Sequence, residues 1–290
     1  MQHTITSSQL TVTVDEHGAE LRSIVGRDGI RYLCPEEKRN WNGSAPVLFP
    51  NTGWVKDGYV LIGGERYPFV QHGFAKDADF VLEERQPDRL VFALRWSEES
   101  LKMYPFAFAL RICYQVQDDT LWVKTQVENE GNVSMPFSIG FHPGFACPLK
   151  PEEQAQDYVF TFPGPMTAAR LTLRDAMVDQ RIERFWDGIT QLPVQEGMFD
   201  GGSFTMTSLT QRSVRLHSKQ SGRGVEVFLG DYPNLVLWAP KHCPITNICI
   251  EPWYGVPDAL DRGHSLINKP DTLIVEPKQH KEVVFSARFY

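Results

Sequence analysis

Two histidines and one glutamate stand in surroundings suited to proton transfer. They are His72 in Gln71-His72-Gly73-Phe74, His142 in Ile139-Gly140-Phe141-His142-Pro143-Gly144-Phe145, and Glu251 in Ile248-Cys249-Ile250-Glu251-Pro252-Trp253-Tyr254-Gly255. Each segment sets a proton-handling side chain among aromatics and glycines, the furnishing of a small polar pocket and not of a packed core. Pro143 restricts His142 to extended backbone, which fixes where its imidazole points. Glu251 ends an apolar run and precedes Pro-Trp-Tyr, so its carboxylate is expected to be half buried, and partial desolvation raises a carboxylate's pKa toward the range of a general base. The set predicts acid/base chemistry on an uncharged ligand.

Other uses of these residue types have to be weighed. Two histidines and a carboxylate can hold a metal, but the close spacings His-x-x-x-His and His-x-His are absent. A serine hydrolase lacks its Gly-x-Ser-x-Gly elbow, and no Gly-x-Gly-x-x-Gly or Walker sequence offers a phosphate cradle. A glycosidase would pair Glu251 with Asp231, Asp258 or Asp261, a separation that spacing along the chain does not give. Trp238, Trp253, Tyr254 and Phe74 could cover the apolar face of a pyranose or fill the core.

The elements that must position these residues read as strands. Leu10–Val14 alternates apolar and polar, and a turn at Gly18 leads to a second strand ending near Ile24. Asp57-Gly58 and Gly63-Gly64 bracket Tyr59–Ile62, which predicts tight hairpins. Further β-branched and aromatic runs are Phe80–Glu83, Leu90–Trp96, Phe106–Val116, Leu121–Val127, Val214–His217, Val225–Leu229, Leu235–Trp238, Asn247–Ile250 and Glu282–Phe289. Short helices are expected only at Pro35–Trp41, Glu98–Met103 and Ala176–Phe185, with Pro151–Gln156 a loop. The expected fold is mainly β, one domain over residues 1–290, with antiparallel sheets packed as a sandwich because no alternating βαβ pattern builds a parallel one.

A net charge of -7 with basic residues scattered singly disfavours nucleic acid and anionic lipid as partners. Five cysteines form no Cys-x-x-Cys pair and are odd in number, so reduced thiols are expected. No secretory leader pattern and no long apolar run is present, and cytoplasmic residence is the default expectation.

With Gly18-Ala19-Glu20-Leu21, Pro46-Val47-Leu48-Phe49-Pro50 and Met103-Tyr104-Pro105-Phe106, the three chemical segments occur in the order seen in the aldose 1-epimerases, and the chain resembles their shorter, lactose-operon-associated bacterial branch. The resemblance implies a galactose-mutarotase-like β-supersandwich, a small-molecule sugar substrate, no metal and no organic cofactor, in a monomer or homodimer. It implies that Glu251 is the base at the C1 hydroxyl, that His142 is the acid at the ring oxygen, and that His72 hydrogen-bonds the sugar. It assigns sugar contacts to Trp253, Trp238, Lys76, Asn51 and, by a looser local match, Asp200. Two departures stand out: Trp54 replaces the family's sugar-binding arginine, and Lys76 stands where arginine is commoner, exchanging a planar fork for a point charge. Two rival functions remain: a carbohydrate-binding protein without catalysis, and a sugar-phosphate epimerase. The latter calls for clustered arginines, whereas Arg66, Arg111 and Arg262 are isolated.

Overall fold

A computed structural model describes the backbone of the chain and the side chains of residues 1–179 and 186–290. Among the described residues, fifteen strands hydrogen-bond into one continuous antiparallel sheet. It starts at Val47–Leu48 and passes through Ile139–Phe141, Asn247–Tyr254, Asn234–Trp238, Phe204–Thr207 and Tyr158–Arg174. It then continues through Ser213–Ser218, Gly224–Phe228, His280–Phe289, Thr120–Asn129, Phe108–Gln117 and Arg89–Arg95 to Val81–Arg85. The N-terminal meander Gln2–Thr6, Leu10–Asp15 and Leu21–Gly26 forms a separate three-stranded sheet. Its buried Leu10, Val12 and Val14 join the main core, following the two-residue period of the sequence. Tyr114 ties it to the large sheet by donating its hydroxyl hydrogen to the carbonyl of Ala19 at 2.7 Å.

Most expected elements form. Tyr59–Ile62 and Glu65–Pro68 pair across Gly63-Gly64 as a hairpin. Glu98–Leu101 is a single helical turn capped by Ser97, whose hydroxyl accepts the Ser100 N–H at 3.2 Å. Two helix expectations need correction. Pro35–Trp41 contains only a 3-10 turn at Glu36–Lys38. Ala176–Phe185 is not helical: Met177–Pro193 is a strand that pairs with Tyr158–Arg174 to make the longest hairpin of the molecule. Hydrogen bonding to a neighbour overrode a mixed polar and apolar pattern that fits a helical period locally. The five cysteines are free, with Cys34, Cys147 and Cys249 buried.

Below the candidate segments lies an aromatic knot. The Phe49 ring meets Tyr104, Phe108 and Phe137 at centroid distances of 5.8, 5.2 and 5.8 Å. All four are fully buried, and Tyr104 donates its hydroxyl to the Pro136 carbonyl at 2.9 Å, so its polar end is satisfied. Burial of such rings is worth about 1.5–3 kcal/mol each, enough to hold the attached loops in one place.

Candidate active site

The central strand Asn247–Tyr254 carries most of the site. Its even-numbered residues Ile248 and Ile250 enter the main core, so the odd-numbered Cys249, Glu251 and Trp253 share the opposite face. On one side it pairs with Asn234–Trp238, Val236 opposite Glu251 and Trp238 opposite Cys249. On the other side Gly140 is opposite Trp253 and Gly144 is opposite Cys249. The register between those two pairs places His142 opposite Glu251. Direct cross-strand neighbours are the closest side-chain pairs a sheet offers, which is why residues far apart in sequence meet here. Pro143 and Pro252 lack N–H groups and thin the ladder at this point, where the Ile250 N–H reaches the Pro143 carbonyl at 3.4 Å and the His142 N–H bonds on the other side to the Pro46 carbonyl at 3.1 Å. Gly140 is required by Trp253: a Cβ there would lie 2.7 Å from the indole.

His72 arrives from another direction. Its N–H donates to the Gly53 carbonyl at 3.1 Å, and the Gly53 N–H donates back to His72 Nδ1 at 3.1 Å. The N–H groups of Phe74 and Ala75 both bond the Phe49 carbonyl, at 3.0 and 3.1 Å. The two chain segments pack so closely that a Cβ on Gly73, whose φ is +69°, would lie 2.1 Å from the Phe49 carbonyl oxygen. Because Nδ1 accepts, a neutral His72 carries its proton on Nε2 and presents a donor. Burial, with His142 and then Lys76 as lesser causes, pushes the His72 pKa well below the ordinary imidazole range.

The three rings and the carboxylate converge. His142 lies edge-on to His72 at 5.6 Å, stacks on Trp41 at 4.8 Å, and meets the edge of Trp238 at 5.4 Å. His142 Nε2 is 3.4 Å from Glu251 Oε2, without hydrogen-bond geometry. Among the described residues, His142 Nδ1, both Glu251 oxygens and the Trp253 indole N–H have no hydrogen-bond partner. Glu251 is 0% exposed, and burial pushes its carboxyl well above the ordinary range, opposed only by the nearby Trp253 N–H. Burial pushes His142 the other way, down to about 4. Both shifts favour the uncharged forms. Buried polar atoms are almost always partnered in native proteins, so this concentration of unpaired ones marks a place for a ligand's hydroxyls.

These groups form the floor of a cavity of about 850 Å³. Of the residues assigned from the sequence, His72, His142, Glu251, Trp253, Trp238 and Lys76 all line it. Asn51 does not: it is fully buried, donates to the Gly53 carbonyl at 3.1 Å and accepts from the Lys269 ammonium. Asp200 does not either, since its carboxylate accepts the His242 N–H at 2.8 Å beside the cavity-lining Gly201. Glu251 is also more deeply buried than the half-buried position its context predicts. Trp41, Cys249 and Lys241 escaped the sequence reading. Nothing about Trp41 marks it in sequence, whereas Cys249 follows from Glu251 by the two-residue period of a strand.

The rival chemistries can be placed in the same frame. Asp231, Asp258 and Asp261 do not line the cavity with Glu251, so the carboxylate pairs suggested by the sequence do not form there. Arg66 covers the Tyr59 ring, Arg111 pairs with Glu83 and Glu128, and Arg262 lies in a different pocket, so none of the three forms a phosphate clamp here. Ligating atoms of His142, Cys249 and Glu251 lie within 4.8 Å of one another, a closeness hidden from sequence spacing. Burial, followed by the proximity of Glu251, pushes the Cys249 thiol well above its ordinary pKa in the free protein. Among the described residues no helix is long and apolar enough to cross a membrane.

Comparison with known proteins bears on these findings. The family model described as aldose 1-epimerase matches residues 1–279. The plasmid-borne protein LacX of Lactococcus lactis subsp. lactis is 32% identical over 280 residues, covering 92% of each chain. Among solved structures, a galactose mutarotase related enzyme from Lactobacillus acidophilus has a TM-score of 0.93 at 27% identity, over 100% of this chain and 97% of that one. A galactose mutarotase-like protein from Lactobacillus casei has a TM-score of 0.92 at 28% identity, over 100% of both. The fold is therefore galactose-mutarotase-like, mainly β and built of large antiparallel sheets, as the resemblance implied.

Proposed function

Because the chain belongs to the aldose 1-epimerase family, we propose that it interconverts the α and β anomers of a free aldose, with His142 and Glu251 as the proton-transfer pair. The observation that carries this reading is the placement of the two side chains opposite each other, buried and unpaired, on the floor of the cavity.

One proton shared by the pair suffices for the reaction. Burial favours the neutral distribution in the empty site, with the carboxyl protonated and the imidazole neutral. A sugar whose hydroxyls, together with the Trp253 N–H, hydrogen-bond the carboxylate restores the ionised form. Glu251 then removes the proton from the C1 hydroxyl while the imidazolium of His142 gives its proton to the ring oxygen. The bond between C1 and the ring oxygen breaks and the open aldehyde forms. This step neutralises both residues, so the burial that penalises their charges favours ring opening. Rotation about C1–C2 and reversal of the two transfers closes the other anomer. His72, whose Nε2 meets the Gln71 side-chain amide at 3.2 Å, would turn its Nε2–H to a sugar oxygen when substrate enters, and Trp253 and Trp238 would cover the apolar ring face.

The test is anomer exchange by saturation-transfer NMR with galactose, glucose, xylose and arabinose, against a protein-free control that corrects for spontaneous mutarotation. Faster exchange with at least one aldose is expected. No acceleration with any of them, while the sugar still binds saturably, would assign the cavity to a sugar-binding protein instead.

A further inference from the structure

Three features of the cavity exceed what a lone hexose uses. Its volume of about 850 Å³ is near the upper end of pockets that enclose whole drug-sized ligands, and a monosaccharide would fill only a small part of it. Four tryptophans line it, and three of them, Trp41, Trp238 and Trp253, surround the His142 and Glu251 floor. The fourth, Trp54, is 42% exposed. Among the described residues its indole makes no hydrogen bond and no ring contact, unlike the exposed Trp96, whose N–H is taken by Glu130 at 3.1 Å.

The backbone under Trp54 is nevertheless fixed. Its carbonyl accepts the Asp258 N–H at 3.0 Å, and the preceding residue, Gly53, exchanges two hydrogen bonds with His72. Trp54 is thus held one residue from the group that anchors His72, with an apolar face open to the solvent side of the cavity. Two polar side chains stand at the same rim: Gln71, whose amide meets His72 Nε2 at 3.2 Å, and Lys241, whose ammonium has no ion pair or hydrogen bond among the described residues.

We infer that the cavity holds a second sugar position at its mouth, with Trp54 as its platform, and that the preferred substrate is the reducing end of a disaccharide or longer glycan. The inference rests on the proposed anomer exchange at the floor. Ring opening requires C1 to sit against the buried Glu251, which turns the far side of the pyranose, where O4 and O6 lie, toward the mouth. A sugar linked through either oxygen leaves the floor at the rim where Trp54 stands. There its apolar face stacks on the indole, and its hydroxyls reach Gln71 and Lys241. An exposed tryptophan that costs solvation in the free protein is then repaid when the second ring covers it.

The experiment compares kcat/KM for reducing-end anomer exchange with glucose, cellobiose and maltose in the wild type, Trp54→Ala and Trp54→Phe. All three sugars present the same glucose unit to the floor. We expect at least a tenfold advantage for one disaccharide over glucose. That advantage falls below threefold in Trp54→Ala and is largely kept in Trp54→Phe, with unchanged circular dichroism in both variants. Accelerated glucose exchange with no disaccharide advantage, or an advantage that survives Trp54→Ala, overturns the inference and leaves the anomer-exchange reading standing. Absence of acceleration with all three overturns the inference, and overturns the anomer-exchange reading as well when galactose, xylose and arabinose are not accelerated either.

Discussion

At Asn51, Asp258 and Lys269 the molecule buries an amide and an ion pair with their partners supplied, whereas at His142, Glu251 and Trp253 it buries three polar side chains and leaves key atoms of each without a hydrogen bond. Lys269 pairs with Asp258 at 2.7 Å and bonds Asn51. Asp258 also accepts the Lys56 N–H at 2.9 Å, and Asn51 donates to Gly53. The first cluster is a structural clamp that holds the loop bearing Gly53, and through Gly53 it holds His72. The second faces the cavity and has hydrogen-bonding capacity left for something that enters it. The contrast separates two kinds of buried polarity that composition alone cannot tell apart: one stabilises a loop, and the other stores an unmet demand that a ligand can satisfy.

Breaking either side of this contrast gives different losses. The largest should come from His142→Asn, which keeps a polar side chain but removes the proton donor. Steady-state anomer exchange is expected to fall by about 10³-fold with little change in melting temperature. Asp258→Ala should act on the other cluster. It leaves the Lys269 ammonium buried and uncompensated, and a urea titration should show a loss of about 3–5 kcal/mol. Activity of the fraction that remains folded should fall much less than in His142→Asn. Equal catalytic loss in both variants would erase the distinction.

The smaller effect is in pH. Catalysis needs one proton on the pair. As pH falls through about 4, the value to which burial lowers His142, the pair takes up a second proton and the rate declines. On the alkaline side the last proton is lost only above the ordinary carboxylate range, because burial raises Glu251. The profile of kcat/KM against pH should therefore be a bell whose limbs belong to the pair, with the alkaline one displaced upward. A single alkaline limb at the usual carboxylate pKa would show that the two groups titrate independently.

Much of this was legible in the sequence. Strand patterning of Asn247–Ile250 and the Gly-Phe-His-Pro-Gly context singled out Glu251 and His142, which the structure brings together on one cavity wall, because a two-residue period and a proline constrain direction locally. The depth of Glu251 was not legible, since it depends on Val236 and His142 flanking it from strands elsewhere in the chain. Nor was the true part played by Asn51, whose partner Lys269 lies 218 residues away. The segment from Ala176 misled for a related reason: its pairing with Tyr158–Arg174 is a non-local interaction that outweighs local propensity.

The measurement that bears most directly on the central claim is anomer exchange of the best aldose in Glu251→Gln, taken together with its melting temperature. A carboxyl whose folded pKa is raised withdraws stability once pH exceeds its unfolded value, so removing it should help the fold at neutral pH. The account predicts that catalytic acceleration disappears while the melting temperature rises by about 2–4 °C. Wild-type exchange in Glu251→Gln would contradict it.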